Sequence, residues 1–168
     1  MVELKSWAPA WASRVTLEHS ARTAVAAVVS LLVARLLRMP EAYWASITTL
    51  VVMQSTWGAA LTASGQRFAG TLLGAAVGAL VGTCAGANVV AFTAAIFGMG
   101  LMCWALRLDR NAYRFAGITL AIVTLVPRTR PAWMMATHRL IEVSVGIGVG
   151  LLLTLVWPDR LAAGAGQA

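Results

Sequence analysis

Charge is the scarcest commodity in this chain of 168 residues: 11% are Asp, Glu, Lys or Arg, and the whole stretch from 68 to 106 carries none. A water-soluble domain needs several times that density on its surface, and with 60% of residues hydrophobic the chain reads instead as one whose solvent is lipid. Cysteine is nearly absent. Cys84 and Cys103 each sit inside an apolar stretch without a CxxC or Cys/His cluster, which excludes a disulfide framework and reads as two buried free thiols. His19 and His138, near expected helix starts, lack a second ligand at metal spacing. No GxxxxGK[ST], HExxH or GxSxG occurs, nor a nucleophile beside a usable base, so neither an enzyme nor a cofactor is expected. A signal peptide is not expected either, because no apolar run follows Lys5, and Glu3 and Glu18 flank the first twenty residues. The net charge of +7 is scattered between apolar segments instead of lying in one stripe, which points away from nucleic acid and toward anionic headgroups and anionic solutes.

What is present is a series of long apolar segments. A membrane helix takes about 20 apolar residues, so six crossings would use roughly 120 and leave only short links. The expectation is an all-α polytopic membrane protein with six transmembrane helices. The first crossing is placed at about 21–37 and the second at about 40–54, with Pro40 at its first helical position. The uncharged stretch 68–106 is too long for one crossing and must turn at Gly86-Ala87-Asn88, giving the third and fourth. The fifth falls at about 111–126, before Pro127, and the sixth at about 140–157, before Pro158. Trp7, Trp11 and Val15 recur at helical spacing, so residues 1–20 read as an interfacial segment, or, given Pro9, as a frayed tail; 159–168 reads as a flexible tail.

An internal repeat organises these helices. RLLRMPEAYWASITTL, from Arg35, lines up with RLDRNAYRFAGITL, from Arg107; Arg67, Gly74 and Gly78 return as Arg139, Gly146 and Gly150, each 72 residues on. Two units, about 21–86 and 87–158, each with three crossings, must enter the membrane in opposite senses, which makes them inverted three-helix repeats. With the N-terminus cytoplasmic, the inner side collects Lys5, Arg14, Arg22, Arg67, Arg107, Arg110, Arg114 and Arg160, against Arg35, Arg38, Arg128, Arg130 and Arg139 outside. That excess favours the N-terminus inside.

Gly70, Gly74, Gly78, Gly82 and Gly86 recur every fourth residue and form a groove for close helix packing. Gly146 and Gly150 suggest that the third and sixth helices meet there; a homodimer seam is the rival reading. Glu142 lies within a predicted crossing, about one turn into the sixth helix, with Arg139 and His138 at i−3 and i−4. It reads either as a proton or anion relay or as a structural ion pair near the interface. Arg22, Arg35, Arg38, Arg107, Arg110 and Arg114 sit mostly at helix ends, where snorkelling to headgroups accounts for them. Arg67 and Arg139 differ by repeating at the starts of the glycine-bearing helices, where they could mark the two mouths of an anion path; a guanidinium binds carboxylate through two parallel hydrogen bonds. Thr48 and Thr119, at matching depth, with Thr49, Gln54 and Thr124, either line that path or bond their own helices.

The segment AYWASITTLVVMQSTWGAALTASGQRFAGTLLGAAVGALVG, with RFAGITLAIVTLVP and RLIEVSVGIGVGLLLTLVWP later, resembles the fusaric acid resistance and aromatic acid exporter family over about 21–158. The most specific features are the Tyr43-Trp44 helix and the Arg67-x-x-Gly70-Thr71-x-x-Gly74 helix start. The resemblance implies a six-helix inner-membrane module exporting aromatic or other organic acid anions, distantly similar to plant aluminium-activated malate channels that work as dimers. Members of that family commonly carry a cytoplasmic domain and a second membrane module. The expectation is therefore a homodimer that restores a two-module arrangement; the alternative is a non-transporting membrane module that assembles with, or stabilises, a larger partner.

Overall fold

The computed structural model describes residues 10–54, 56–127 and 130–157, with side chains from residue 17 onward. The described residues form six α-helices and no strand: α1 (Ala10–Leu36), α2 (Tyr43–Val52), α3 (Trp57–Cys84), α4 (Val89–Ala105), α5 (Arg110–Leu125) and α6 (Ala132–Val156). Residues 1–9, the tail 159–168 and the side chains of Trp11 and Val15 lie outside the described residues, so the expected interfacial segment is met only where α1 already runs from Ala10. Three helical stretches are long and apolar enough to cross a bilayer: Leu17–Leu36, Trp57–Cys84 and Ala132–Val156. Helix α2, with 10 residues, rises about 15 Å, half of a hydrocarbon core of about 30 Å.

Local chemistry sets the turns. Thr56 caps α3 by accepting the Ala59 N–H, and Asn88 caps α4 by accepting from Val90 and Ala91. Between them Gly86 takes φ +61°, a left-handed conformation that turns α3 into α4. Helices α1 and α4 end alike: Arg38 and Arg107 both take φ +53°, while Met39 N–H bonds Ala34 O at 3.0 Å and Leu108 N–H bonds Cys103 O at 2.9 Å. The matching caps fall on the fourth letter of one RLxR stretch and the first of the other, so those stretches do not correspond letter for letter. Asn88→Ala strands two N–H groups at the α3–α4 hairpin and is expected to cost about 1 kcal/mol, read as a lower unfolding temperature in detergent.

Two helices start earlier than hydropathy places them. Helix α3 begins at Trp57 and α6 at Ala132, where residues 68 and 140 were expected. The preceding stretches, WGAALTASGQ and AWMMATH, are too polar or too irregular to read as a crossing, yet they are rich in Ala, Leu and Met and follow good starts, a Thr56 cap and Pro131 just before the first turn. Pro40 is also placed differently: it lies in a turn ahead of α2, in which Trp44 N–H bonds Glu41 O. That turn is held by a tertiary bond, from Glu41 N–H to the Glu142 carboxylate at 3.1 Å, which no local pattern announces.

The glycine face of α3 is filled by α5 of the same chain. A Cβ on Gly74 would meet the Ala116 carbonyl oxygen and Thr119 Cβ at 2.9 Å; on Gly78 it would meet Val123 Cγ1 at 3.2 Å; on Gly70, Phe115 Cβ at 2.8 Å. The glycines of α6 receive α2 in the same manner: Gly146 faces the Ala45 carbonyl oxygen and Thr48 Cβ at 2.7 Å, and Gly150 faces Val52 Cγ1 at 3.2 Å. Numbers rise together along both contacts, so α3 runs parallel to α5 and α2 to α6. The glycine faces of α3 and α6 therefore do not seat against each other, although the two helices do pack, and α5 occupies the groove that a homodimer seam would have used. Gly82 is buried on α3, whereas Gly86 meets no neighbour and serves the turn.

Candidate functional site

Ionised side chains inside a lipid-facing fold need partners, since an unpaired charge in hydrocarbon costs several kcal/mol. Arg139 finds three. Its Nη2 pairs with Glu41 Oε2 at 2.6 Å, its Nη1 with Glu142 Oε2 at 3.3 Å, and its guanidinium carbon lies 4.1 Å from the centre of the Trp44 ring. Arg139 is 3% and Glu142 1% exposed, so the earlier start of α6 has moved both from a helix end into the interior. A cavity of about 380 Å³ opens onto this cluster, lined by Pro40, Glu41, Arg130, His138, Arg139 and Glu142 among others. The indole N–H of Trp44 and Nδ1 of His138 are buried there without a hydrogen-bond partner.

Arg67, 4% exposed, repeats the aromatic half of this arrangement. Its guanidinium lies 4.6 Å from the Phe115 ring centre, and Nη2 donates a long 3.4 Å bond to Thr48 Oγ1. Among the described residues no carboxylate comes within ion-pair distance of it. The two arginines do not mark opposite mouths: both reach α2, at Trp44 and at Thr48 one helical turn further on.

Thr48 is thus fully buried and takes a hydrogen bond from Arg67, while Thr119 is buried as a packing surface against Gly74. Thr49 donates to Ala45 O at 3.0 Å and across to Gly146 O at 2.9 Å, Thr124 to Leu120 O at 2.7 Å, and Gln54 to Val51 O at 3.1 Å, the self-bonding alternative for these polar groups.

Arg22 is not a headgroup anchor. It is 2% exposed; Nη1 donates to Trp157 O at 3.0 Å and Nη2 to Gln54 O at 2.7 Å, so one guanidinium supplies donors to the carbonyl ends of α2 and α6 together. The signal for this was present in the sequence, since Arg22 begins a four-residue stripe of small side chains, Ala26, Ser30 and Ala34, all buried against the bundle. Arg35, Arg38, Arg107, Arg110 and Arg114 are exposed, as anchoring requires. Cys103 is buried, but Cys84 is exposed, contrary to the reading of both thiols as buried. The sequence marks Trp44 only as part of the Tyr43-Trp44 helix and gives Glu41 and Phe115 no role: each acts through a partner distant in sequence, and only the matched places of Trp44 and Phe115, three residues before Ile-Thr in each repeat, hint at the aromatic pairings.

Apolar helices with Leu, Val, Phe and Trp exposed on their outer faces, enclosing buried arginines, define an integral membrane protein of the all-helical class. The profile of the fusaric acid resistance protein-like family matches residues 26–153, and the chain belongs to that family. It is 29% identical to the inner membrane protein YeeA of Escherichia coli strain K12 over 156 residues, covering 84% of this chain and 41% of YeeA. It is 30% identical to the uncharacterized transporter YdhK of the same strain, covering 88% of this chain and 23% of YdhK, and 29% identical to YdhK of Salmonella typhimurium, covering 84% and 22%. The chain spans less than half the length of these relatives. No solved structure matches it.

Proposed function

We propose that this chain is a membrane transport module for organic acid anions, aromatic acids among them, acting in the inner membrane with its N-terminus cytoplasmic. The observation that carries this reading is the pair of buried arginines, Arg67 and Arg139, set one turn apart along α2 in a chain of a family whose relatives include named transporters. The architecture that fits is six crossings in two inverted three-helix units, supported by the matched seats of Gly74 on Ala116 and Thr119 and of Gly146 on Ala45 and Thr48. Glu142 then couples protons, because an anion arriving at Arg139 competes with its carboxylate for the same guanidinium.

The transport reading takes the module as a homodimer, like the dimeric channels that the family resembles. A second reading is a module that assembles with or stabilises a larger partner and moves nothing alone. Efflux of labelled benzoate from proteoliposomes separates them. Transport is expected to fall at least ten-fold in Arg67→Gln and to lose its dependence on the pH gradient in Glu142→Gln; no flux from the wild-type protein selects the partner reading. Cross-linking in membranes that yields monomers alone removes the homodimer.

A further inference from the structure

The two arginine–aromatic pairs differ in what completes them. Arg139 over Trp44 carries the carboxylates of Glu41 and Glu142. Arg67 over Phe115 carries none, and its Nε is buried without a hydrogen-bond partner. Ser64, three residues earlier and on the same face of α3, is 6% exposed, and its hydroxyl is likewise buried without a partner. Serine in a membrane helix ordinarily donates to the carbonyl four residues back, as Ser144 does to Leu140 O at 2.8 Å, and Thr71, Thr83 and Thr154 do likewise. Ser64 departs from that habit beside a guanidinium that also has a donor to spare. Two buried donors on neighbouring residues, neither met by a protein acceptor, are costly unless a bound group meets them.

We infer that Ser64 and Arg67 together form a two-point binding site for the carboxylate of a singly charged organic acid: the Arg67 Nε–H bonds one oxygen and the Ser64 hydroxyl the other. The inference rests on the transport reading and sharpens it to monoanions. Charge sets that limit. With Glu41, Glu142 and Arg139 ionised, the neighbouring cluster is already one negative charge in excess, and Arg67 offsets it. A monocarboxylate leaves the interior one charge negative; a dicarboxylate leaves it two, with no further cation among the described residues on Arg67's contacts. The single serine hydroxyl also serves one carboxylate, not two.

The test uses the full chain purified in detergent, titrated with benzoate and with phthalate by calorimetry at a pH where phthalate is a dianion, alongside flux of both in proteoliposomes. Benzoate is expected to bind, phthalate at least ten-fold more weakly. Ser64→Ala is expected to weaken benzoate about ten-fold, with Ser64→Thr, which keeps the hydroxyl, recovering most of it. Arg67→Lys, retaining charge but not the paired N–H geometry, is expected to lose more than Ser64→Ala. Benzoate affinity unchanged in Ser64→Ala overturns the site, and means that water satisfies these donors. Phthalate binding as tightly as benzoate, or chloride displacing benzoate at equal concentration, overturns the two-point monocarboxylate assignment. The two readings fail separately: binding that depends on Ser64 without flux keeps the site and removes transport by this chain alone, whereas flux indifferent to Ser64 and Arg67 keeps transport and removes the site.

Discussion

Arg139→Ala is expected to lower the stability of the folded protein by about 3–5 kcal/mol. Removing the guanidinium strands the Glu142 carboxylate, 1% exposed, and breaks the 2.6 Å pair with Glu41 that ties α6 to the α1–α2 turn. Losing the Trp44 stack adds to the loss. The measurement is thermal unfolding in detergent, followed by the fraction of protein eluting as a single species. A triple change, Arg139→Ala with Glu41→Gln and Glu142→Gln, is expected to recover much of the stability, because the penalty belongs to the unpaired charges more than to the lost attraction. Unfolding of Arg139→Ala at the wild-type temperature would show that solvent reaches Glu142 freely through the neighbouring cavity.

The second large effect concerns the glycine seats. Gly74→Ala and Gly146→Ala are each expected to cost about 1–3 kcal/mol, since the new methyl meets a carbonyl oxygen of the facing helix, backbone that cannot rotate away as a side-chain end would. The two losses should be alike, because the facing residues correspond: Ala116 and Thr119 for one, Ala45 and Thr48 for the other. Gly148→Ala, between the seats of α6 and with nothing within 4 Å of the added methyl, is the control, expected to be neutral or stabilising through helix propensity. Unfolding temperatures of the three variants decide it. If Gly74→Ala matches Gly148→Ala, then α5 has room to retreat and close packing is not what fixes the bundle.

The all-helical class, the Gly86–Asn88 hairpin and the close-packing role of Gly74, Gly78, Gly146 and Gly150 were legible in the sequence because composition, turn residues and four-residue spacing are local properties. Which helix the glycines accept was not legible, since spacing marks a face but says nothing of its occupant. Hydropathy misplaced the starts of α3 and α6 for a related reason: it scores the solubility of a stretch and is blind to whether that stretch is wound as a helix. That misplacement carried Arg67, Arg139 and Glu142 to helix ends in the sequence reading, where the structure buries them. Glu41 shows the remaining limit. It is a turn residue by every local sign, and only the fold brings it to Arg139, far along the chain.

The exchange of seats between the two halves has a consequence for synthesis. Helix α3 emerges from the ribosome well before α5, the helix its groove accepts, and α2 must wait still longer for α6. Each half therefore stays incomplete until α6 has emerged, with its tightest contacts made late and across the middle of this module. Fragments separated at the Gly86–Asn88 turn should be degraded when made singly and rescued when made together, because each holds only one side of both seats.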